Sequence, residues 1–213
     1  MKETTRQRLD VSLPVWAVFA KYNRMLYTGK GDNGTTKLFD CPQGKRVSKS
    51  EFVFEVLGTL DELNSSLGYA KILSKKSKDT LFIETRKVFY EEILDKLQQN
   101  LFCIQAELGG SDIHPTKTHI DYLEKVVHEV DTLLPPIKSF VIPGGGETGA
   151  YLDIARTIAR RAERGCVILR DKKERKIDDM SLQFLNRLSS VLYALARFAN
   201  YQEGYTEKRP IYQ

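Results

Sequence analysis

Apolar residues recur at three- and four-residue steps through five stretches of this chain, the period of an amphipathic helix. The first covers about 51–73, where Val53, Val56, Leu57, Leu60, Leu63, Leu67 and Ala70 form one stripe, with Ser48 or Ser50 placed to cap it. The second, 79–108, carries Leu81, Val88, Ile93, Leu94, Leu97, Leu101 and Ile104, and stops at Gly109-Gly110. The third, 117–134, starts after Thr116 and stops before Pro135-Pro136. The fourth, 148–169, repeats Ile154, Ile158, Ala162, Cys166 and Leu169. The fifth, 181–201, repeats Leu182, Leu185, Leu188, Leu192, Leu195 and Phe198. Between them lie turn-forming stretches, with Phe140-Val141-Ile142 as a candidate extended piece. The pattern predicts an all-α, up-and-down five-helix bundle. It forms one domain over 25–203, with an N-terminal extension at 1–24 and a polar, less ordered tail at 204–213.

Charge changes this picture at one place. The net charge of the 213 residues is +5, and much of the excess is local: 156–170 holds five arginines against the single acid Glu163. Arg156, Arg160 and Arg164 are spaced i, i+4, i+8 and so form one ridge of the fourth helix, where Glu163 can brace Arg160. A local excess favours a discrete anionic ligand over diffuse nucleic-acid binding. The rivals are a solvated basic face and a helical protein that binds nucleic acid through this ridge. The three cysteines form no C-x-x-C pair, which argues for a reducing compartment. The three histidines are scattered, so no metal site is built on them. No apolar run approaches the ~20 residues of a membrane span. Residues 1–24 contain Arg6, Arg8, Lys21 and Arg24, as a transit peptide would, but Glu3 and Asp10 count against one. The expected location is the cytoplasm, or the mitochondrial matrix in a eukaryote.

Three stretches carry candidate chemistry. In T-G-K-G-D-N-G-T-T, residues 28–36, glycines at 29, 31 and 34 free backbone N–H groups to face a phosphate chain. Lys30 adds a cation, and Thr28, Thr35 and Thr36 add hydroxyls. The Walker spacing is absent, and a plain turn is the competing reading. In G-T-L-D-E-L-N-S-S-L-G, residues 58–68, Asp61 stands between Leu60 and Leu63. A carboxylate at the edge of a buried face needs a partner, and arginine is the natural one; a solvated acidic pair with Glu62 is the alternative. On the fifth helix Asn186 stands between Leu185 and Leu188, where its amide can read a base or a ribose, or merely join two helices. The glycine run Pro143-Gly144-Gly145-Gly146, just before the ridge, is a backbone that can approach a ligand closely.

Taken in order, these stretches, with F-V-I-P-G-G-G, A-R-T-I-A-R-R-A-E-R and F-L-N-R-L-S-S-V-L-Y-A-L-A-R, resemble the ATP:cob(I)alamin adenosyltransferases of the five-helix, propanediol-utilisation type. The resemblance covers roughly 25–203. It implies a homotrimer with active sites between subunits, where cob(I)alamin attacks the ribose C5′ of ATP and tripolyphosphate leaves. ATP and cob(I)alamin are then substrates, and Mg²⁺ accompanies the ATP phosphates. By motif position it implies that Thr28, Gly29, Lys30, Gly31, Asp32, Gly34, Thr35 and Thr36 form the phosphate loop, with Lys45 as a further cation. Asp61 would bridge to a neighbouring subunit's Arg156, and Arg160 and Arg161 would take nucleotide phosphates or intersubunit contacts. Glu163 would act as a brace or an indirect Mg²⁺ ligand, and no residue is assigned as a direct metal ligand. Asn186 would contact the nucleotide. Phe140 would cover the lower face of the corrin. A cob(II)alamin reductase and an adenosylcobalamin-dependent enzyme are the implied partners, with no nucleic acid and no membrane. A non-catalytic ATP and cobalamin carrier of the same fold is the alternative. The chain departs from the family's pattern at Gly29, where a basic residue is usual, at Ser190, where an acid is frequent, and at Asp153, where a histidine is frequent.

Overall fold

Apolar stripes placed at helical spacing bury themselves on one another, and the helices follow that pattern with one exception. The computed structural model describes residues 27–77 and 80–212, so the extension 1–24 lies outside the described residues. The helices among them are α1 (Phe52–Ser77), α2 (Tyr90–Leu108), α3 (Lys117–Leu133), α4 (Glu147–Asp171) and α5 (Asp179–Gln202). Two short antiparallel strand pairs accompany them: β1 (Thr35–Thr36) with β2 (Val47–Ser48), and β3 (Thr80–Ile83) with β4 (Arg86–Phe89).

The exception is the start of the second helix, expected near Asp79. Asp79 lies outside the described residues, and 80–89 is a β-hairpin. Leu81, Ile83 and Val88 point to the core, while Phe82, Lys87 and Phe89 are exposed. That alternation is a period of two, carried by β-branched and aromatic residues that suit a pleated surface. Glu84, at φ 54°, makes the tight reversal. The candidate extended piece 140–142 is irregular.

Cross-helix pairs fix the directions. α1 runs antiparallel to α2, since Gln98 Nε2 donates to Asn64 O at 2.9 Å and Lys71 pairs with Asp95 at 2.9 Å. α4 is antiparallel to both its neighbours: Arg161 pairs with Glu62 of α1, and Asn186 of α5 bonds Glu163. α3 lies parallel to α5, because Glu124 meets Arg187 and Pro135 meets Arg197. The result is the expected up-and-down arrangement. Its single core joins the fully buried Leu60, Leu63, Leu67, Leu97, Leu101, Leu188 and Leu192.

Two buried polar groups tie helix ends together. Glu107, at the end of α2, accepts from the Asp178 amide at 2.7 Å and from Ser181 Oγ at 2.5 Å, so a carboxylate sits at the N-terminus of α5. Arg197 is 7% exposed and is paired by Glu207, which lies beyond Gly204. The segment after Gly204 therefore returns to the bundle, and the Ile142 amide also donates to Lys208 O at 2.9 Å.

The glycine run 144–146 serves the chain itself. Asn200 Oδ1 accepts from the Gly146 amide at 2.9 Å, and Asn200 Nδ2 donates to Gly144 O at 2.8 Å. A Cβ added at Gly149 would stand 2.1 Å from Asn200 Oδ1. With Asn200 held at both ends, Gly149→Ala is expected to destabilise the fold by about 1–3 kcal/mol. Urea unfolding checks this: the midpoint falls while the slope is kept. An unchanged midpoint would mean that Asn200 yields without cost.

Candidate functional site

The glycine loop folds by local bonds. The Asp32 amide donates to Gly29 O at 3.2 Å and the Gly34 amide to Gly31 O at 3.1 Å, giving two successive turns. Gly29 and Gly34 have φ of 66° and 75°, which glycine adopts without strain. Asn33 Oδ1 accepts from Thr35 Oγ1 at 2.6 Å, and the Lys30 amide donates to Thr28 Oγ1 at 3.4 Å. Pairing of β1 with β2 then brings up two cations that sequence reasoning missed. Arg46 donates from Nε to Thr35 Oγ1 and from Nη2 to Thr35 O, both at 2.8 Å. Lys49 Nζ donates to Gly31 O at 3.0 Å. Lys45, the cation expected here, is exposed and its side chain makes no ion pair among the described residues. The signal for Arg46 and Lys49 was the pairing register, Thr35 opposite Ser48, which composition does not display.

The loop is anchored at one end of the bundle. The Phe39 amide donates to Gly109 O at 2.8 Å, and Asp40 pairs with Arg175 at 2.7 Å. Arg175 also donates to Leu108 O at 2.6 Å and so closes the C-terminus of α2.

The arginine ridge sits elsewhere. From Arg160 to the end of α4 at Asp171 is roughly 16 Å of helix. No hydrogen bond or ion pair among the described residues joins the loop to Arg156, Arg160 or Arg161. Arg156 Nε donates to Asp153 at 2.9 Å, and its guanidinium carbon lies 5.7 Å from the Tyr193 ring centre. Arg161 pairs with Glu62. Arg160 is exposed and makes no ion pair among the described residues. The expected brace from Glu163 to Arg160 is replaced by another contact: Glu163 Oε1 accepts from Asn186 Nδ2 at 2.9 Å. Asp61 is exposed and unpaired among the described residues; its neighbour Glu62 is the acid that meets an arginine within the chain.

A groove of about 600 Å³ opens beside the ridge, lined by Phe140, Val141, Arg156, Arg160, Ser190 and Tyr193 among others. Phe140 is 80% exposed there. Burial holds the Tyr193 hydroxyl above its ordinary pKa, so the ring enters the groove wall uncharged. The groove thus presents an apolar floor with two cations. Burial pushes the Cys166 thiol of α4 up to about 12, which removes it as a nucleophile. Among the described residues no group of three or more His, Cys, Asp or Glu side chains is placed to hold a metal ion.

The family model for cobalamin adenosyltransferase matches residues 26–199, which includes the loop, α1 with Asp61, the ridge and Asn186. The chain belongs to the cobalamin adenosyltransferase family. It is 36% identical to the corrinoid adenosyltransferase PduO of Citrobacter freundii over 81% of its own length, and it spans about half (49%) of that protein. It is 34% identical to a corrinoid adenosyltransferase of Mycobacterium leprae, over 82% of this chain and 91% of that one. The human corrinoid adenosyltransferase MMAB is 35% identical, over 86% and 72% of the two chains. Among solved structures, a variant PduO-type ATP:corrinoid adenosyltransferase from Lactobacillus reuteri, complexed with cobalamin and ATP, superposes with a TM-score of 0.74 at 29% identity. That likeness covers 87% of this chain and 96% of the other. This adenosyltransferase-family chain therefore has a fold that holds both molecules in a relative. No helix among its described residues is long and apolar enough to cross a membrane.

Proposed function

We propose that the chain transfers the 5′-deoxyadenosyl group of ATP to cob(I)alamin, at a site shared between neighbouring copies of a homotrimer. The observation that carries this reading is the groove in which Phe140 stands with Arg156 and Arg160. A flat, largely apolar macrocycle fits the aromatic floor, and the cations face the polyphosphate of the nucleotide.

The chemistry asks little covalent work of the protein. The electron pair of Co(I) forms the cobalt–carbon bond at C5′ as the C5′–O bond breaks, and tripolyphosphate leaves with that bond's pair. The cobalt is the nucleophile, so no activated side chain is required. The chain supplies position and charge. Arg160, free of ion pairs among the described residues, meets the phosphates along with Arg161. Arg46 and Lys49 add positive charge beside residues 28–36, which wrap the phosphates with backbone N–H groups and the Thr36 hydroxyl, the Thr35 hydroxyl being taken by Asn33 and Arg46. Mg²⁺ carried with ATP would supply further positive charge; Glu163, fixed by Asn186, and Asp32 on the loop are the carboxylates that would hold it through water. Phe140 covers the lower face of the corrin and keeps its nucleotide tail off cobalt. Asp61 of one copy pairs with Arg156 of the next. The separation of the loop anchor from the ridge supports the split site, because each half needs its complement from another copy. Three unpaired cysteines suit a reducing compartment such as the cytoplasm, where a cob(II)alamin reductase and an enzyme that consumes adenosylcobalamin would act on either side of this step.

Incubation with ATP, Mg²⁺ and chemically reduced cob(I)alamin tests the reading. A light-sensitive alkylcobalamin and one tripolyphosphate per turnover are expected. ATP binding by calorimetry with no tripolyphosphate released would make the chain a carrier, a reading to which Ser190 and the placement of Lys30 lend some support.

A further inference from the structure

Arg156 is held differently from the neighbouring arginines of α4. Arg161 is engaged by Glu62, and Arg160 carries no ion pair among the described residues. Arg156 is held on two sides. One turn before it on α4, Asp153 is 8% exposed and accepts from Arg156 Nε at 2.9 Å. Its guanidinium carbon also lies over the Tyr193 ring of α5, 5.7 Å from the ring centre.

That ring is itself fixed. Arg197 lies 6.0 Å from the same ring centre and is 7% exposed. It donates to both Glu207 oxygens, at 2.5 and 3.1 Å, and to Pro135 O at 3.1 Å. Tyr193 thus carries two arginines over its ring, one pinned by the returning tail and the other by Asp153.

The direction of Arg156 follows from which cavities its neighbours line. Arg156, Val141 and Tyr193 line both the 600 Å³ groove and a second cavity of about 400 Å³ beneath Gly144 and Gly145. Asp153 lines only the second. The Nε bond is therefore made beside the second cavity. A guanidinium has five N–H donors in a rigid plane, so four remain on the terminal nitrogens, and Arg156 also lines the groove. Arg160 supplies uncompensated charge to the groove, while the Arg156–Asp153 pair is neutral and supplies direction.

We propose that Asp153, with Tyr193 behind it, is a positioning residue that aims the terminal nitrogens of Arg156 at an oxyanion in the intersubunit groove. The identity of that oxyanion, a nucleotide phosphate or a neighbour's carboxylate, rests on the adenosyltransferase reading. The positioning itself rests on the contacts above.

The sign of one measurement separates this role from plain electrostatics. An acid near an anion site repels the anion, so deleting it should tighten binding. If Asp153 positions Arg156, Asp153→Ala weakens it instead. The experiment is a double-mutant cycle of Asp153→Ala and Arg156→Ala on the full chain. It reads kcat for adenosylation and the calorimetric Kd for inorganic tripolyphosphate. Asp153→Ala is expected to cost about 10- to 100-fold on at least one readout, the usual scale for a misplaced group. In the Arg156→Ala background the same change should fall within about twofold, because nothing remains to be aimed. Asp153→Asn, which keeps the acceptor oxygen, should recover part of the loss. Tyr193→Leu should lose more than Tyr193→Phe.

Equal losses in both backgrounds would overturn the proposal in favour of a structural role, and so would tighter tripolyphosphate binding or no loss on either readout. Should Asp153→Ala fail to give folded protein, Asp153→Leu, similar in shape and without an acceptor, carries the cycle with the same criteria. A native chain with no turnover overturns the adenosyltransferase reading alone, since the Kd cycle still decides on the positioning role.

Discussion

Arg160→Ala is expected to lower kcat/KM for adenosyl transfer by about 100- to 1,000-fold, the cost of deleting one preorganised donor at a developing charge. Three observations lead to that size. Arg160 lines the groove with Phe140. It makes no ion pair within the chain among the described residues, so its charge is available to a ligand. It is also exposed, so its loss leaves no buried cavity. Stability should therefore stay within about 0.5 kcal/mol of the native chain. The comparison is steady-state kinetics beside a denaturant titration. Kinetics within threefold of native would reduce the ridge to a solvated basic face. A matched fall in stability would mean that the arginine holds the fold together instead.

The second large effect concerns Asp61 and Arg156. Asp61→Ala and Arg156→Ala should each cost about 30-fold or more, the lower end for truncating one partner of a desolvated charge pair. Neither loss alone shows where the pair forms. Mixing does. In a cyclic trimer each interface takes Asp61 from one copy and Arg156 from the next. A mixed trimer of the two variants then holds one native interface, one with a single defect and one doubly defective, or an equivalent set. Random co-refolding of equal amounts should restore roughly a quarter of native activity. Recovery no better than the average of the two variants would place the pair within one chain, or nowhere.

The helices could be read from the chain because every apolar stripe is buried in one shared core, and a period of 3.6 admits few alternatives. The hairpin escaped for a definite reason. Leu81 and Val88 are seven residues apart, which is two turns of helix as well as a cross-strand pair. Ile83, two positions from Leu81, was the residue that told the periods apart. The glycine run shows a different limit. Its conformational freedom was visible in the sequence, but the occupant of the space, Asn200, lies 54 residues beyond Gly146 and nothing local announces it. Glu163 was placed by spacing against Arg160, yet a residue on the facing helix, Asn186, reaches it first. For the candidate site, motif order pointed to Phe140, Arg156 and Arg160, which line one groove. Arg46 and Lys49 appeared only once β1 and β2 were paired. Asp61, the carboxylate read as needing an arginine, is exposed and unpaired among the described residues.

The pairing of Arg197 with Glu207 makes the interior of the bundle depend on a residue outside its helices. Glu207 lies beyond α5, yet it neutralises a charge inside the bundle. A chain cut after Gly204 would keep every helix and carry Arg197 without its counterion, a state that costs several kcal/mol when the site is dry. The ring of Tyr193, which both Arg197 and Arg156 approach, would lose that brace.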